Sequence, residues 1–450
     1  MSFLSKFEHL KTGSIAENEK AISAYWKEID LLHQCVSQRE DGKQFVFFEG
    51  PPTANGKPGI HHVIARTLKD YVCRYKTMQG YQVKRKAGWD THGLPVELGV
   101  EKELGITKDD IGKKISVADY NKACKEAVMR YTNIWNNLTE QIGYWVDLED
   151  PYITYKPKYM ETVWWLLKQL YNKGLLYKGY TIQPYSPKAG TGLSSHELNQ
   201  PGCYRDASDT TITAQFRVKV LSDKATTALK APQGTLHILA WTTTPWTLPS
   251  NTALAVGKDI DYVLVRTFNQ YTFEPIQVIL AKALVEKQFG AKFFKTSEEA
   301  DFTAYANDEN RKKVPYEVLA ECKGADLMGT TYEQLIPWFL PDENPEKAFR
   351  VIPGDFVTTD DGTGIVHIAP TFGADDARMG RENGIPPMLV KDENDNLVPL
   401  VDLQGRFLKG DKVPALFAGK YIKNEYYKSG EAPEKSWDVE LAILLKTENK

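Results

Sequence analysis

Two stretches near the N-terminus hold residue types that could do chemistry together. Pro51 to His62 (PPTANGKPGIHH) sets two adjacent histidines behind a run of glycine and proline. Where such a loop leads into a helix, the unpaired N–H groups of the first turn and their partial positive charge suit a phosphate. His61 and His62 would add donors where charge develops on a pyrophosphate, and glycines let a flat base approach the backbone. The plainer reading is a connector with two exposed histidines, and spacing alone does not decide between them. Gly88 to Glu97 (GWDTHGLPVE) offers Asp90, a carboxylate suited to an ammonium group. The same residue could equally serve a turn or cap a helix, and His92 could cap or pack.

A third constellation lies further on. Trp241 to Asn251 (WTTTPWTLPSN) presents three consecutive hydroxyls, Thr242, Thr243 and Thr244, which could orient a water and a ribose. A threonine run is more often plain strand surface. Thr359 to Asp376 (TDDGTGIVHIAPTFGADD) joins a glycine-rich hairpin to a helix start. Asp375 and Asp376 there have an ordinary explanation, favourable charge in a first helical turn.

These residues need elements to hold them. Ser14 and Glu17 form a capping-box pattern, followed by Ile22, Tyr25, Trp26, Ile29 and Leu32 at helical spacing. Phe45 to Phe48 reads as a buried parallel strand stopped by Gly50 and two prolines. Ile60 to Met78 turns helical and closes at Gly80, and Tyr81 to Lys86 suits a second strand. The opening is therefore β–loop–α–β, the first unit of a doubly wound α/β sheet, whose strand ends are where ligands bind. Val117 to Leu138 carries one continuous apolar face, and Pro157 to Lys173 another, with Pro at its start and Gly174 past its end. Near Tyr185 the texture changes to short alternating runs and turns, which continue to about Arg406 with a helix at Ala374 to Asn383.

The 450 residues are 42% hydrophobic and 26% charged, an ordinary globular balance with room for two to four domains. A net charge of −3 advertises no general affinity for nucleic acid, though local basic patches remain compatible with it. Five scattered cysteines argue against a disulfide framework and against a zinc site in these residues. No apolar run is long enough for a membrane span, and MSFLSKFEHLKTG has charges where a signal peptide needs an apolar core. A cytoplasmic protein without membrane association is the expectation.

Phe48 to Gly56, Leu68 to Asp70, Arg74 to Lys76 and Gly88 to Glu97 closely resemble the isoleucyl-tRNA synthetases, in a eukaryote-like form that also occurs in some bacteria. The resemblance covers essentially the whole chain. It implies a Rossmann-like class I catalytic domain, first half only, interrupted by an inserted β-rich editing domain. The class I signature is His-x-Gly-His. Here the four positions are Gly59, Ile60, His61 and His62, so the first histidine and the glycine have exchanged places. By this match Gly59 to His62 bind ATP, with His61 and His62 catalytic at its phosphates. His61 stands where glycine normally admits the adenine, and Gly59 is expected to accommodate the change through dihedrals closed to other residues. Asp90 holds the isoleucine ammonium and Pro52 lines the side-chain pocket.

The same resemblance assigns Thr242, Thr243, Thr244 and Asn251 to the lining of a hydrolytic pocket. Asp376 anchors the ammonium of a mischarged aminoacyl end, and His367 crowds the slot so that valine enters and isoleucine does not. One methylene supplies only about 1–3 kcal/mol of discrimination, isoleucine against valine being the standard worked case, so a second and smaller pocket is needed.

The implied reaction joins isoleucine to its tRNA using ATP with Mg2+ as substrate, transfer starting at the terminal ribose 2′-OH. Partners are isoleucine, ATP and isoleucine tRNA, and a monomer is expected. Residues 1–185 read as the first half of the catalytic domain, 186–406 as the insertion, and 407–450 as a segment leading back. No Lys-Met-Ser-Lys-Ser-like loop occurs, so the chain reads as a fragment unable to form adenylate alone, with any zinc outside it. A free-standing aminoacyl-tRNA deacylase and a non-catalytic tRNA-binding module are the competing readings.

Overall fold

The computed structural model describes residues 14–179, 181–232, 234–308 and 312–450. The N-terminal segment read above for a signal peptide lies outside the described residues. The chain divides into two compact units, Met1–Gly179 and Tyr180–Lys450.

In the first unit the helix α1 (Ile15–Glu28) starts at the expected capping box, Glu17 N donating to Ser14 Oγ and Ser14 N to Glu17 Oε2. A short α2 (Leu31–Ser37) follows. The strand β1 (Phe47–Phe48), the helix α3 (Ile60–Met78) and the strand β2 (Arg85–Trp89) form the expected unit, with β1 and β2 parallel. β3 (Asp147–Ile153) lies parallel on the far side of β2. The expectation of a buried first strand is only partly met. β1 is two residues long at the sheet edge, and Val46 is 66% exposed.

Between β2 and β3 run α4 (Leu94–Leu104), α5 (Val117–Val128) and α6 (Thr132–Gln141). The apolar face read as continuous from Val117 to Leu138 is therefore broken. The cause is a tertiary contact: the Tyr131 amide donates to Ala54 O, in the loop after β1, at 3.1 Å. A donor used outside the helix cannot extend the i→i−4 ladder. The helix α7 (Pro157–Asn172) ends before Gly174 at φ +70°, as expected, but no residue on it is buried and Trp164 is 63% exposed.

In the second unit a small hairpin, β4 (Tyr185–Ser186) with β5 (Thr191–Gly192), precedes the main sheet. That sheet is built from β6 (Ile212–Val220), β7 (Leu236–Thr242), β8 (Ala253–Val256), β9 (Asp261–Phe268), β10 (Pro275–Ala281), β11 (Phe293–Lys295), β12 (Val314–Lys323), β13 (Thr331–Tyr332), β14 (Arg350–Pro353) and β15 (Ile365–Ile368). Along it the order is β11-β12-β9-β10-β7-β15-β8-β14-β13-β6, and β6 also pairs with β7. That last pairing closes six strands into a barrel and leaves β10, β9, β12 and β11 as a wing. Closure removes two sheet edges. Phe216, Ile238, Ala240, Leu254, Val256, Val351 and Ile365 fill one continuous buried cluster. The helix Ala374–Asn383 ends at Gly384, as expected from the sequence.

Candidate functional site

In the first unit the loop after β1 is held from three sides. Glu49 is buried; Lys69 reaches its carboxylate at 2.6 Å and the Tyr144 hydroxyl donates to it. Tyr152 donates its hydroxyl to Glu49 O. Trp135 Nε1 donates to Gly56 O at 2.8 Å, and Ala54 is fully buried against Trp89 and Trp135. The Asp90 amide donates to Pro52 O at 3.1 Å, which joins the two motifs by backbone alone. One Asp90 oxygen accepts the His92 amide at 3.2 Å, so the turn role is real; the N-cap of α4 is Gly93. His92 Nδ1 is hydrogen-bonded to Thr154 Oγ1 at 2.8 Å, so it neither caps α4 nor merely packs.

The histidines open α3. Ile60 is its first residue, and His62 Nδ1 accepts the Gly59 amide at 2.9 Å. Nε2 of a neutral His62 then carries the hydrogen and can donate outward. Burial, His61 and the Arg66 cation, in that order, push the His62 pKa below its ordinary value, which keeps it neutral near pH 7. Arg66 is itself buried, bonded to Thr139 Oγ1 and lying over the rings of Trp135 and Tyr144. The His61 and His62 ring centroids are 3.8 Å apart.

One expectation at this site is corrected. Gly59 sits at φ −110°, ψ 174°, extended backbone open to any residue. A side chain there would have to displace the His61 ring. A Cβ on Gly59 would lie 2.9 Å from Cε1 of His61, whose ring folds back over it. The exchanged glycine and histidine are thus sterically matched.

In the second unit Ile238, Ala240 and Thr242 alternate along one face of β7, while Ile365 and His367 share a face of β15. Ile238, Ala240 and Ile365 belong to the barrel core, so Thr242 and His367 stand on its inward face. The Thr244 amide donates to Thr242 Oγ1 at 3.0 Å, and Thr244 Oγ1 is 3.4 Å from Thr247 Oγ1. Thr247 Oγ1 meets His367 Nε2 at 2.8 Å, and Asn251 Nδ2 lies 3.4 Å from His367 Nδ1. Thr242, Thr244, Asn251 and His367 therefore form one group, while Thr243 is exposed beside it. Burial pushes His367 down to about 4, so it is neutral.

Asp376 sits in the first turn of its helix. Its carboxylate accepts the Ala369 amide, just past the end of β15, and folds over Gly373, where a Cβ would lie 1.9 Å from Oδ2. Burial, the largest influence, raises its pKa to about 6, with Asp375 adding to the rise and the Ala369 bond opposing it.

Sequence reasoning missed Glu49, Arg66, Trp135 and Tyr144 around the first loop, and Thr247 and Tyr332 around His367. Thr247 lies inside the threonine-rich motif and was open to discovery. Tyr332 is 81 positions from its partner Asn251 and carries no local signal.

A family model described as tRNA synthetases class I (I, L, M and V) matches residues 21–329. The chain belongs to the class I tRNA synthetases. It is similar to the isoleucine–tRNA ligase of Bacteroides fragilis (strain YCH46), 55% identical over 99% of this chain and 39% of the relative. The isoleucine–tRNA ligase of Cytophaga hutchinsonii is 54% identical over the same shares, and that of Clostridium tetani is 43% identical over 88% of this chain and 33% of the relative. The chain thus spans about two fifths of the length of the first two relatives. Among solved structures, the complex of Agrobacterium radiobacter K84 agnB2 LeuRS with tRNA and LeuAMS is similar at TM-score 0.33 and 17% identity, over 83% of this chain and 44% of that one. That likeness is too distant to compare sites. As a class I synthetase the chain has an α/β fold whose first β–α–β unit holds Gly59 to His62, together with a β-rich barrel region.

Proposed function

We propose that this chain carries the ATP and isoleucine subsites and the proofreading pocket of an isoleucine–tRNA ligase. The observation that carries the proposal is the 55% identity to a relative of that name across 99% of the chain. ATP, with Mg2+ as part of the substrate, lies at Gly59 to His62, where His62 donates Nε2–H to phosphate and His61 stands beside it. Asp90 holds the isoleucine ammonium and Pro52 borders its side chain. Catalysis is by positioning and charge stabilisation. The second unit hydrolyses valyl esters of isoleucine tRNA. Thr242, Thr243, Thr244, Asn251, His367 and Asp376 line that pocket, and Asp376 pairs with the ammonium. Residues 1–185 serve the first activity, 186–406 the second, and 407–450 lead back to the catalytic domain. The protein works as a cytoplasmic monomer.

The test is amino-acid-dependent exchange of labelled pyrophosphate into ATP, in a protein of the relatives' full length containing this chain. Isoleucine should drive exchange best among isoleucine, leucine, valine and methionine. Asp90→Ala should abolish exchange while hydrolysis of valyl-tRNA persists. Exchange driven best by leucine or methionine would overturn the assignment.

A further inference from the structure

The hydrogens of His367 and of the Asn251 amide can be assigned from their partners. The Thr247 hydroxyl donates to Thr244 O at 2.8 Å, so it meets His367 Nε2 with a lone pair, and Nε2 must carry the hydrogen. On the other side Nδ1 faces Asn251 Nδ2, which donates to it at 3.4 Å. The orientation of the Asn251 amide is what makes this possible. Its Nδ2 also donates to Ala253 O at 2.8 Å, and its Oδ1 accepts the Tyr332 hydroxyl at 2.7 Å. Turning the amide over would set Oδ1 against Ala253 O and against the Nδ1 lone pair, and would leave the Tyr332 hydroxyl without its acceptor.

Tyr332 is rigid for its own reasons. It is a buried residue on β13 whose ring packs edge-on against Phe216 at 5.3 Å and against Phe349 at 6.2 Å. Burial raises its pKa well above the ordinary tyrosine value, so its hydroxyl remains a donor.

We propose that Tyr332 is a specificity-determining positioning residue: through Asn251 it holds His367 as a neutral Nε2–H imidazole in one ring orientation, a fixed wall with neither nitrogen free for proton transfer. The proposal rests on the hydrolytic reading of this pocket and adds how selectivity is maintained there. Isoleucine and valine differ by one methylene, worth about 1–3 kcal/mol in an unyielding pocket and less in one that gives way. A ring free to rotate would admit the larger side chain. Burial alone holds the His367 pKa down to about 4, so the imidazole stays neutral in this arrangement.

The test uses the 450-residue chain labelled with 15N-histidine, whose eight histidines each give a pair of ring-nitrogen signals. The His367 pair is assigned by its loss in His367→Gln. The unaltered protein should show His367 neutral, with its hydrogen on Nε2, down to pH 5. Tyr332→Phe keeps the ring packing and removes only the hydroxyl. It should move the hydrogen toward Nδ1. The rate of isoleucyl-tRNA hydrolysis relative to valyl-tRNA should rise about tenfold. Asn251→Asp puts an acceptor opposite Nδ1 and should move the hydrogen there even with Tyr332 intact. An unchanged tautomer in Tyr332→Phe would overturn the relay. A changed tautomer with an unchanged hydrolysis ratio would overturn the role in specificity. A relay that responds as stated, in a chain that hydrolyses neither ester, would uphold the positioning and reject the hydrolytic reading.

Discussion

At the residue scale, matched pairs explain what single residues do not. Gly59 has ordinary backbone angles, and His61 occupies the space a side chain there would need. The two positions should therefore behave as one. Gly59→Ala should push the His61 ring off His62 and raise KM for ATP several-fold in the exchange assay. In a His61→Gly background the same substitution should have almost no further effect. Additive effects in this double-mutant cycle would show that the pair is not coupled. Asp376 makes a prediction of a different kind. Its carboxyl titrates near 6 because it is buried, so below that pH it is neutral and cannot pair with an ammonium group. Between pH 5 and 7, kcat/KM for valyl-tRNA hydrolysis should rise with pH and level off above 6, since this ratio reports the free enzyme. Asp376→Asn should be low and flat. A profile without that limb would exclude Asp376 as the anchor.

At the element scale, the sites sit where regular structure stops. The apolar face from Val117 to Leu138 breaks at Tyr131 because that amide serves the loop after β1. The first motif thus depends on a helix break almost eighty positions away, which periodicity cannot show. The helix Ala374–Asn383 was legible from its acidic first turn and Gly384, yet its role depends on how closely it abuts β15. Gly373, at its N-cap, has ordinary dihedrals, but a Cβ there would strike the Asp376 carboxylate. Gly373→Ala should therefore cost about 1–3 kcal/mol in urea melts and reduce valyl-tRNA hydrolysis at least tenfold. The Ile60–Met78 helix lies in the other unit, so isoleucine-dependent exchange should be unaffected. Full hydrolytic activity in this variant would show that the carboxylate has room to move.

At the scale of the whole molecule, the two units carry separate cores. The clusters around Trp135 and Tyr144 lie entirely in residues 1–179, and the barrel clusters in 180–450. The barrel unit should be acid-sensitive. His237 and His367 are buried, and desolvation holds both down to about 4. As pH falls below the ordinary 6.5 of an imidazole, the unfolded chain takes up protons that the fold refuses. Each histidine then removes about 2 kcal/mol of stability by pH 5. Asp376 acts in the opposite direction: raised to about 6, it binds a proton in the fold before it does so unfolded, and returns about 1 kcal/mol over the same range. Urea melts at pH 7 and pH 5 should show a net loss on the order of 2–3 kcal/mol. Stability unchanged between these values would contradict two buried neutral histidines.

The sequence by itself determined the family, the opening β–α–β unit and the motifs, because these depend on local spacing and on residue types read in order. Ser14 with Glu17, the α3 limits and Gly384 follow from hydrogen-bonding rules that act within a few positions. The barrel closure, the edge position of β1 and the exposed face of α7 depend on pairing between distant segments, and no local pattern encodes those. The same holds for the Asn251–Tyr332 bond, 81 positions apart. Thr242 and His367 were visible as candidates, but which nitrogen of His367 bears its hydrogen was not. That is decided by a tyrosine on another strand, because a buried imidazole takes its tautomer from whichever donors and acceptors the fold sets around it.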